Sequence, residues 1–158
     1  MIRKATPADI EQTAKLSLQL HDLHVKAKPE SYRVMPIEFF RSKLERYVGE
    51  ENTEILINDD NGINAFAAVK IMDVEPEDRF PRRLCYIDCF AVDEKCRRQG
   101  VGRKLMAYIK EFAEENGCTS VQLGVAGFNE NAQKFYRSMG FAERTIIMEQ
   151  KINNKKEN

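Results

Sequence analysis

The sequence predicts an α/β (α+β) fold in which helices cover a single mixed sheet, and three observations support this prediction. Residues 53–59 and 63–73 have strand composition and flank the turn "DNG", which is typical of an antiparallel hairpin. Residues 84–126 follow the order strand, helix, strand, and such a right-handed crossover joins parallel strands. Amphipathic helical patterns occupy most of the remaining chain.

The first half of the chain adds a strand and two helices to the hairpin. A short strand over residues 1–5 precedes a helix that begins at a threonine and a proline and ends at Pro29. A second helix begins near Pro36. Its apolar face consists of Phe40, Leu44, Tyr47 and Val48.

The second half adds three strands and two helices. A buried central strand over residues 84–92 contains one acid, Asp88, and is separated from the preceding strand by a surface loop over residues 74–83. A helix ending at Gly117 and a strand at 119–126 follow. A helix at about 130–139 and a last strand at 141–152 then complete the predicted elements. We therefore expect one domain over residues 1–152 and a polar tail over residues 153–158.

Composition excludes several classes of protein. The 158 residues suffice for one domain, and 25 basic residues balance 25 acidic ones, whereas a nucleic-acid-binding protein normally carries a basic excess. No apolar run approaches the roughly 20 residues that cross a bilayer, and no secretion signal is evident. We expect a cytoplasmic protein that binds neither nucleic acid nor membrane. Its 4 cysteines and 2 histidines lack the spacing of metal ligands, so we expect no metal.

The segment "CRRQGVGRKL", residues 96–105, predicts an anion site. It lies between a strand and a helix, where unpaired amide groups and the positive end of the helix dipole face an incoming ligand. Gly100 and Gly102 let a phosphate approach these amides. The side chains that can neutralise its charge are Arg97, Arg98, Arg103 and Lys104. The spacing matches neither a Walker loop nor a Rossmann fingerprint, because the required hydroxyl and third glycine are missing.

Two motifs together identify a family. The pattern R-x-x-G-x-G at residues 97–102 resembles the coenzyme A pyrophosphate loop of the GNAT acetyltransferase superfamily. Residues 129–141, "NENAQKFYRSMGF", resemble that family's second signature, N-x-x-A-x-x-F-Y-x-x-x-G-F, at every fixed position. The resemblance implies a GNAT fold: a mixed sheet of about six to seven strands, splayed at its central parallel pair and flanked by about four helices.

The resemblance also implies a cofactor and an activity. It implies an N-acetyltransferase that transfers the acetyl group of acetyl-CoA to a primary amine of a small molecule or peptide by direct attack, releasing coenzyme A. Pantetheine would pair with the main chain of Phe90, Ala91 and Val92, and Asn129 would contact it. The pyrophosphate would lie on the glycine loop, at Arg97, Arg98, Gln99, Gly100, Val101, Gly102 and Arg103.

Two residues carry the implied acid–base chemistry. Asp88 would remove a proton from the amine, either directly or through water. The route through water is favoured because aspartate is shorter than the glutamate usual in the family. Its alternative role is that of a strand acid bonded to a neighbouring group. Tyr136 would lie near the sulfur and protonate the departing thiolate; its alternative role is that of a core aromatic. Asn129 is also suited to cap the last helix.

Other interpretations remain open. The chain could be a non-catalytic acetyl-CoA sensor or a nucleotide-binding protein that uses the same glycine loop. The resemblance suggests a homodimer, but no apolar stripe predicts its interface. His24 borders the apolar stripe of the first helix, and neither it nor His21 is assigned a catalytic role. An acidic run before the central strand either attracts a cationic amine or is simply solvated together with the arginines that follow it. Its members are Asp73, Glu75, Glu77 and Asp78.

Overall fold

The structure is a computed structural model that describes residues 1–153 and divides into two compact units, Met1–Gly124 and Val125–Asn158. The first unit contains strands β1 (Ile2–Lys4), β2 (Thr53–Asp59), β3 (Ile63–Val74), β4 (Arg82–Val92) and β5 (Ser120–Leu123), with helices α1 (Ile10–Ala27), α2 (Ile37–Gly49) and α3 (Val101–Glu115). The second unit contains helix α4 (Glu130–Ser138).

One mixed sheet organises the first unit. Its strand order is β1-β2-β3-β4-β5, and every neighbouring pair is antiparallel except the parallel pair β4–β5. The hairpin between β2 and β3 turns at Asn61 and Gly62, both of which have positive φ, 59° and 115°. The mixed sheet, the hairpin and the parallel strand–helix–strand unit are as the sequence predicts.

The core lies on both faces of this sheet. On one face, Ile55, Ile57 and Phe66 pack in one cluster with apolar residues of α1 and α2, including Leu16, Phe40 and Leu44. Strand alternation directs Leu56 to the opposite face, where α3 packs against β2, β3 and β4 and buries Leu105, Ile109 and Phe112. The helical stripes that the sequence shows are therefore the surfaces that cover the sheet.

An ion-pair network fixes the start of α1 against the sheet. The guanidinium of Arg3 donates to both carboxylate oxygens of Asp9, at 2.8 and 3.0 Å, and to Asp59 at 2.8 Å. The backbone amide and hydroxyl of Thr6 donate to the same Asp9 carboxylate. The Arg3 guanidinium accordingly holds the pKa of Asp9 well below its usual range. β1, the turn before α1 and β2 are thus joined at one place.

The loop before the central strand is shorter than the sequence predicts. β4 begins at Arg82 rather than at residue 84, and its first residues pair with the end of β3. The reason is a cross-strand ion pair, in which Arg83 donates to Asp73 at 2.8 Å directly across the ladder. Charged residues that resemble a solvated loop in the sequence therefore extend the hairpin.

The last predicted strand is not formed. Residues 141–153 have no regular secondary structure, so the described part of the chain has five strands rather than six or seven, together with the four expected α-helices. Alternation specifies which side chains would share a face, but a strand also needs a neighbouring edge that accepts its hydrogen bonds. Most of the predicted tail, residues 154–158, lies outside the described residues.

No helix in residues 1–153 combines the length and the apolar character that crossing a bilayer requires.

Phe66 provides a test of the core. It is fully buried in the centre of the sheet, so Phe66→Ala should lower the free energy of unfolding by about 3–5 kcal/mol because the cavity cannot close. Phe80→Ala is the matched control, since the Phe80 side chain is 93% exposed and should contribute almost nothing. Urea unfolding followed by circular dichroism measures both variants. Equal losses would contradict this assignment of the core.

Candidate active site

The parallel ladder between β4 and β5 ends before β4 does. Its register runs from Leu84–Ser120 to Ile87–Leu123, whereas β4 continues to Val92, which pairs with Ala65 of β3. The C-terminal part of β4 is therefore held by β3 and lies outside the parallel ladder. The parallel pair is present as the fold class implies, and its ladder ends just before the residues where pantetheine is expected to bind.

A β-bulge occurs at the same point on the other side of β4. Ala68 pairs with Cys89 and Val69 pairs with Ile87, so Asp88 is the additional residue that has no partner in the ladder with β3. In a regular strand, successive side chains point to opposite faces, and a bulge changes this direction. As a result, Asp88 and Cys89 both line one pocket.

This pocket lies between α1, α2 and the strands β3 and β4, and its volume is about 190 Å³. Apolar side chains form much of its wall, including Leu20, Phe40 and Leu44. Its ionisable lining groups are His21, His24, Lys43, Tyr47, Asp88 and Cys89. Asp88 and Lys43 are exposed, so their charged groups reach solvent at the pocket.

A hydrogen bond from α2 holds the carboxylate of Asp88. The hydroxyl of Tyr47 donates to Oδ2 of Asp88 at 3.1 Å, and the Tyr47 side chain is otherwise buried in the core. Burial, followed by the charge of Asp88, raises the pKa of Tyr47 well above its usual value, so its hydroxyl remains a donor at neutral pH. The sequence indicates Tyr47 only as part of an apolar helix face, because no local signal connects it with Asp88.

Two histidines and one cysteine of the pocket lining add no negative charge. Nε2 of His21 lies 2.6 Å from the carbonyl oxygen of Arg33 and therefore donates to it. Burial lowers the pKa of His24 and raises the pKa of the Cys89 thiol to about 11. Cys89 is consequently a thiol at neutral pH rather than a ready nucleophile.

The glycine loop follows the end of β4. Arg98 and Gly100 have positive φ, 61° and 81°, and α3 begins directly after Gly100. The amide of Lys104 donates to the carbonyl of Gly100 at 3.1 Å, which leaves the amides of Val101 and Gly102 without a helical carbonyl before them. Arg97 donates to the carbonyl of Val92 at 3.2 Å and so connects the loop with the strand end.

The loop can accommodate a phosphate. A Cβ atom at Gly100 would meet nothing within 4 Å, so the space beside this backbone is open. Left-handed residues at a helix start direct amide groups towards the same point and form an anion-binding concavity. The residues present therefore fit the pyrophosphate that the sequence motif implies. Side chains of three arginines, Arg97, Arg98 and Arg103, project from this segment.

The second unit places the other motif on α4. Asn129 precedes the helix, and its Oδ1 accepts from the amide of Ala132 at 3.2 Å, so its capping role is present. Tyr136 is half-buried and makes edge contacts with Phe135 and Phe141, whose ring centroids lie 5.5 and 5.7 Å away.

Two of the four acids in the run before β4 form ion pairs with neighbouring arginines. Asp73 binds Arg83 at 2.8 Å, and Asp78 binds Arg79 at 3.3 Å. These local pairs favour the interpretation of the run as a solvated surface over that of a site for a cationic amine.

Comparison with known proteins identifies the family. The model of the acetyltransferase (GNAT) family matches residues 18–141. The ribosomal protein bS18-alanine N-acetyltransferase of Escherichia coli is 28% identical over 134 residues, which are 82% of this chain and 81% of that protein. Two other curated relatives are matched over only 51% and 37% of their own lengths.

Solved structures agree with this result. A tetramutant of the BH1408 protein from Bacillus halodurans superposes with a TM-score of 0.92 at 28% identity, over 96% of this chain and 99% of that one. The structure of AAC(6')-Iy with the bisubstrate analogue CoA-S-monomethyl-acetylneamine gives a TM-score of 0.74 at 19% identity, over 96% and 98%, and supports the fold alone. The chain therefore belongs to the acetyltransferase (GNAT) family, as its two motifs predict.

Proposed function

We propose that this protein transfers the acetyl group of acetyl-CoA to a primary amine of a small molecule or peptide. The observation that carries the proposal is the position of Asp88: a bulge turns its carboxylate into a pocket at the level where the parallel ladder ends. Relatives support both classes of acceptor. One is named for an alanine of a ribosomal protein, and another is an aminoglycoside N(6')-acetyltransferase of Serratia marcescens.

The donor would lie along β4 and the glycine loop. Bound acetyl-CoA supplies the thioester whose carbonyl carbon is attacked. The main chain of Phe90, Ala91 and Val92, beyond the ladder with β5, would hold the pantetheine arm. The amides at the start of α3 and the arginines beside them would hold the pyrophosphate, and the open space at Gly100 permits this approach.

Asp88 would prepare the amine. An alkyl ammonium has a pKa of about 10.4 and is not nucleophilic at neutral pH, so a base must accept one proton. Because Tyr47 donates to Oδ2, the carboxylate is oriented, and Oδ1 is the atom that would accept from the ammonium or from a water. The exposure of Asp88 lets the proton pass on to solvent.

Tyr136 would complete the transfer. The amine nitrogen forms a bond to the carbonyl carbon, the bond from carbon to sulfur breaks, and the sulfur leaves with the electron pair. A phenol with a pKa of about 10 is protonated at rest and can give its proton to this thiolate. The nitrogen still carries two protons when its bond to carbon has formed, and it releases one of them to solvent as the neutral amide forms. Tyr136 would then regain a proton from solvent, so that each turnover releases one net proton from the ammonium to water.

Asp88→Asn tests the base. We expect kcat/KM to fall by about 100-fold or more at neutral pH, because the amide cannot accept the proton, and to recover as the pH rises and more amine is unprotonated. Thiol release from acetyl-CoA with a panel of amines measures this. Asp22→Asn, which changes an exposed acid on α1, is the matched control and should retain full activity. If kcat/KM of Asp88→Asn depended on pH in the same way as that of the wild type, the assignment of Asp88 as the base would be refuted.

Tyr136→Phe tests the acid. This variant keeps the ring and its aromatic contacts but has no hydroxyl, so we expect kcat to fall by about tenfold or more while the dissociation constant of acetyl-CoA stays unchanged. The rate of thiol release at saturating substrate measures kcat, and calorimetric titration measures the dissociation constant of acetyl-CoA. Full turnover at every pH would show that Tyr136 is a core aromatic only.

Gly102→Val tests the anion site. A branched side chain on the first turn of α3 should keep the pyrophosphate from the amides and weaken coenzyme A binding at least about tenfold, the equivalent of one charge-assisted hydrogen bond. Lys104→Ala should weaken it less, because an exposed lysine adds only a screened charge. Ala107→Val, on the exposed side of the same helix, controls for helix propensity. Equal affinities of Gly102→Val and wild type would contradict the proposed site.

A further inference from the structure

The acceptor pocket carries one feature that the acetyl transfer does not use. Lys43 lines the pocket from α2, and its ammonium group forms no ion pair within residues 1–153. Lys43 favours the ionised form of the Cys89 thiol, so its charge acts on the residue next to Asp88. The two fixed charges in the pocket lining are therefore one carboxylate, Asp88, and one ammonium, Lys43.

Helix α2 sets the spacing of the two residues that position these charges. Lys43 and Tyr47 are separated by one turn of α2, about 6 Å along the helix axis, and both line the pocket. Tyr47 holds Asp88 at 3.1 Å, so the carboxylate lies at the Tyr47 end, and the Lys43 side chain leaves the helix one turn away. Phe40 and Leu44 supply an apolar wall on the same helix.

This arrangement disfavours a polycation. A polyamine or an aminoglycoside needs several acceptors for its ammonium groups, whereas here a second ammonium would meet the positive charge of Lys43. Neither His24 nor Cys89 supplies a negatively charged partner for a second ammonium group, because burial lowers the pKa of His24 and Cys89 is a neutral thiol. The volume of about 190 Å³ also suits a small acceptor rather than an oligosaccharide.

We propose that the acceptor is a zwitterion, a small amino acid whose reacting primary amine binds at Asp88 and whose carboxylate binds at Lys43. This inference rests on the proposed function, because it assigns the acceptor of that same reaction. A linear chain of about five bonds between nitrogen and carboxyl carbon spans one helical turn. Its methylene groups lie against Phe40 and Leu44.

Three acceptors that share one alkyl chain test the inference. We expect kcat/KM with acetyl-CoA to be at least about tenfold higher for 5-aminopentanoate than for pentylamine, since one charge-assisted contact is gained. It should be lowest for pentane-1,5-diamine, whose second ammonium faces Lys43. Lys43→Glu should reverse this order and make the diamine the best of the three, whereas Lys43→Arg should keep the wild-type order.

Arg46→Met is the matched control. It removes a positive charge from an exposed position of the same helix outside the pocket lining, so the order of the three acceptors should not change. A wild type that prefers the diamine, or a Lys43→Glu variant that keeps the wild-type order, would overturn the inference while the acetyl transfer itself stands. Absence of thiol release with every amine, although acetyl-CoA binds, would overturn the proposed function and this inference with it.

Discussion

The end of the parallel ladder at Ile87 and Leu123 is the constraint on which the rest of the site depends. Up to this pair, β4 is an interior strand with hydrogen bonds on both sides; after it, β3 alone holds the strand by a ladder. Backbone groups inside a closed sheet bind no ligand, because their partners are already present. The early end of the ladder thus leaves one side of a central strand without a ladder partner, and the bulge at Asp88 turns a carboxylate of the same strand into the pocket.

The hydrogen bond between Tyr47 and Asp88 connects this strand with the helices. A tyrosine buried to this degree needs a partner for its hydroxyl, and the carboxylate provides one. One contact therefore serves both the packing of the core and the orientation of the Asp88 carboxylate.

Local signals in the sequence predict the elements well, and non-local pairing limits the prediction. The glycine loop and the cap of Asn129 depend on a few adjacent residues, so the pattern identifies them without knowledge of the sheet. The bulge depends on the register between β3 and β4, and the contact of Tyr47 joins residues 41 positions apart. Residues 141–153 show the converse. Their alternation of apolar and polar side chains is typical of a strand, but such a pattern does not specify which neighbouring strand edge would accept the hydrogen bonds.

Helix α2 contributes Lys43 and Tyr47 to the pocket and nothing to the glycine loop, which comes from β4 and α3. Within the first unit, the pocket wall and the glycine loop are therefore encoded by separate stretches of chain. Substitutions on the exposed side of α2 can change the charge and shape of the pocket without altering the loop. Under the proposed function, this division lets the acceptor change in evolution at a few positions of α2 while the donor site stays the same.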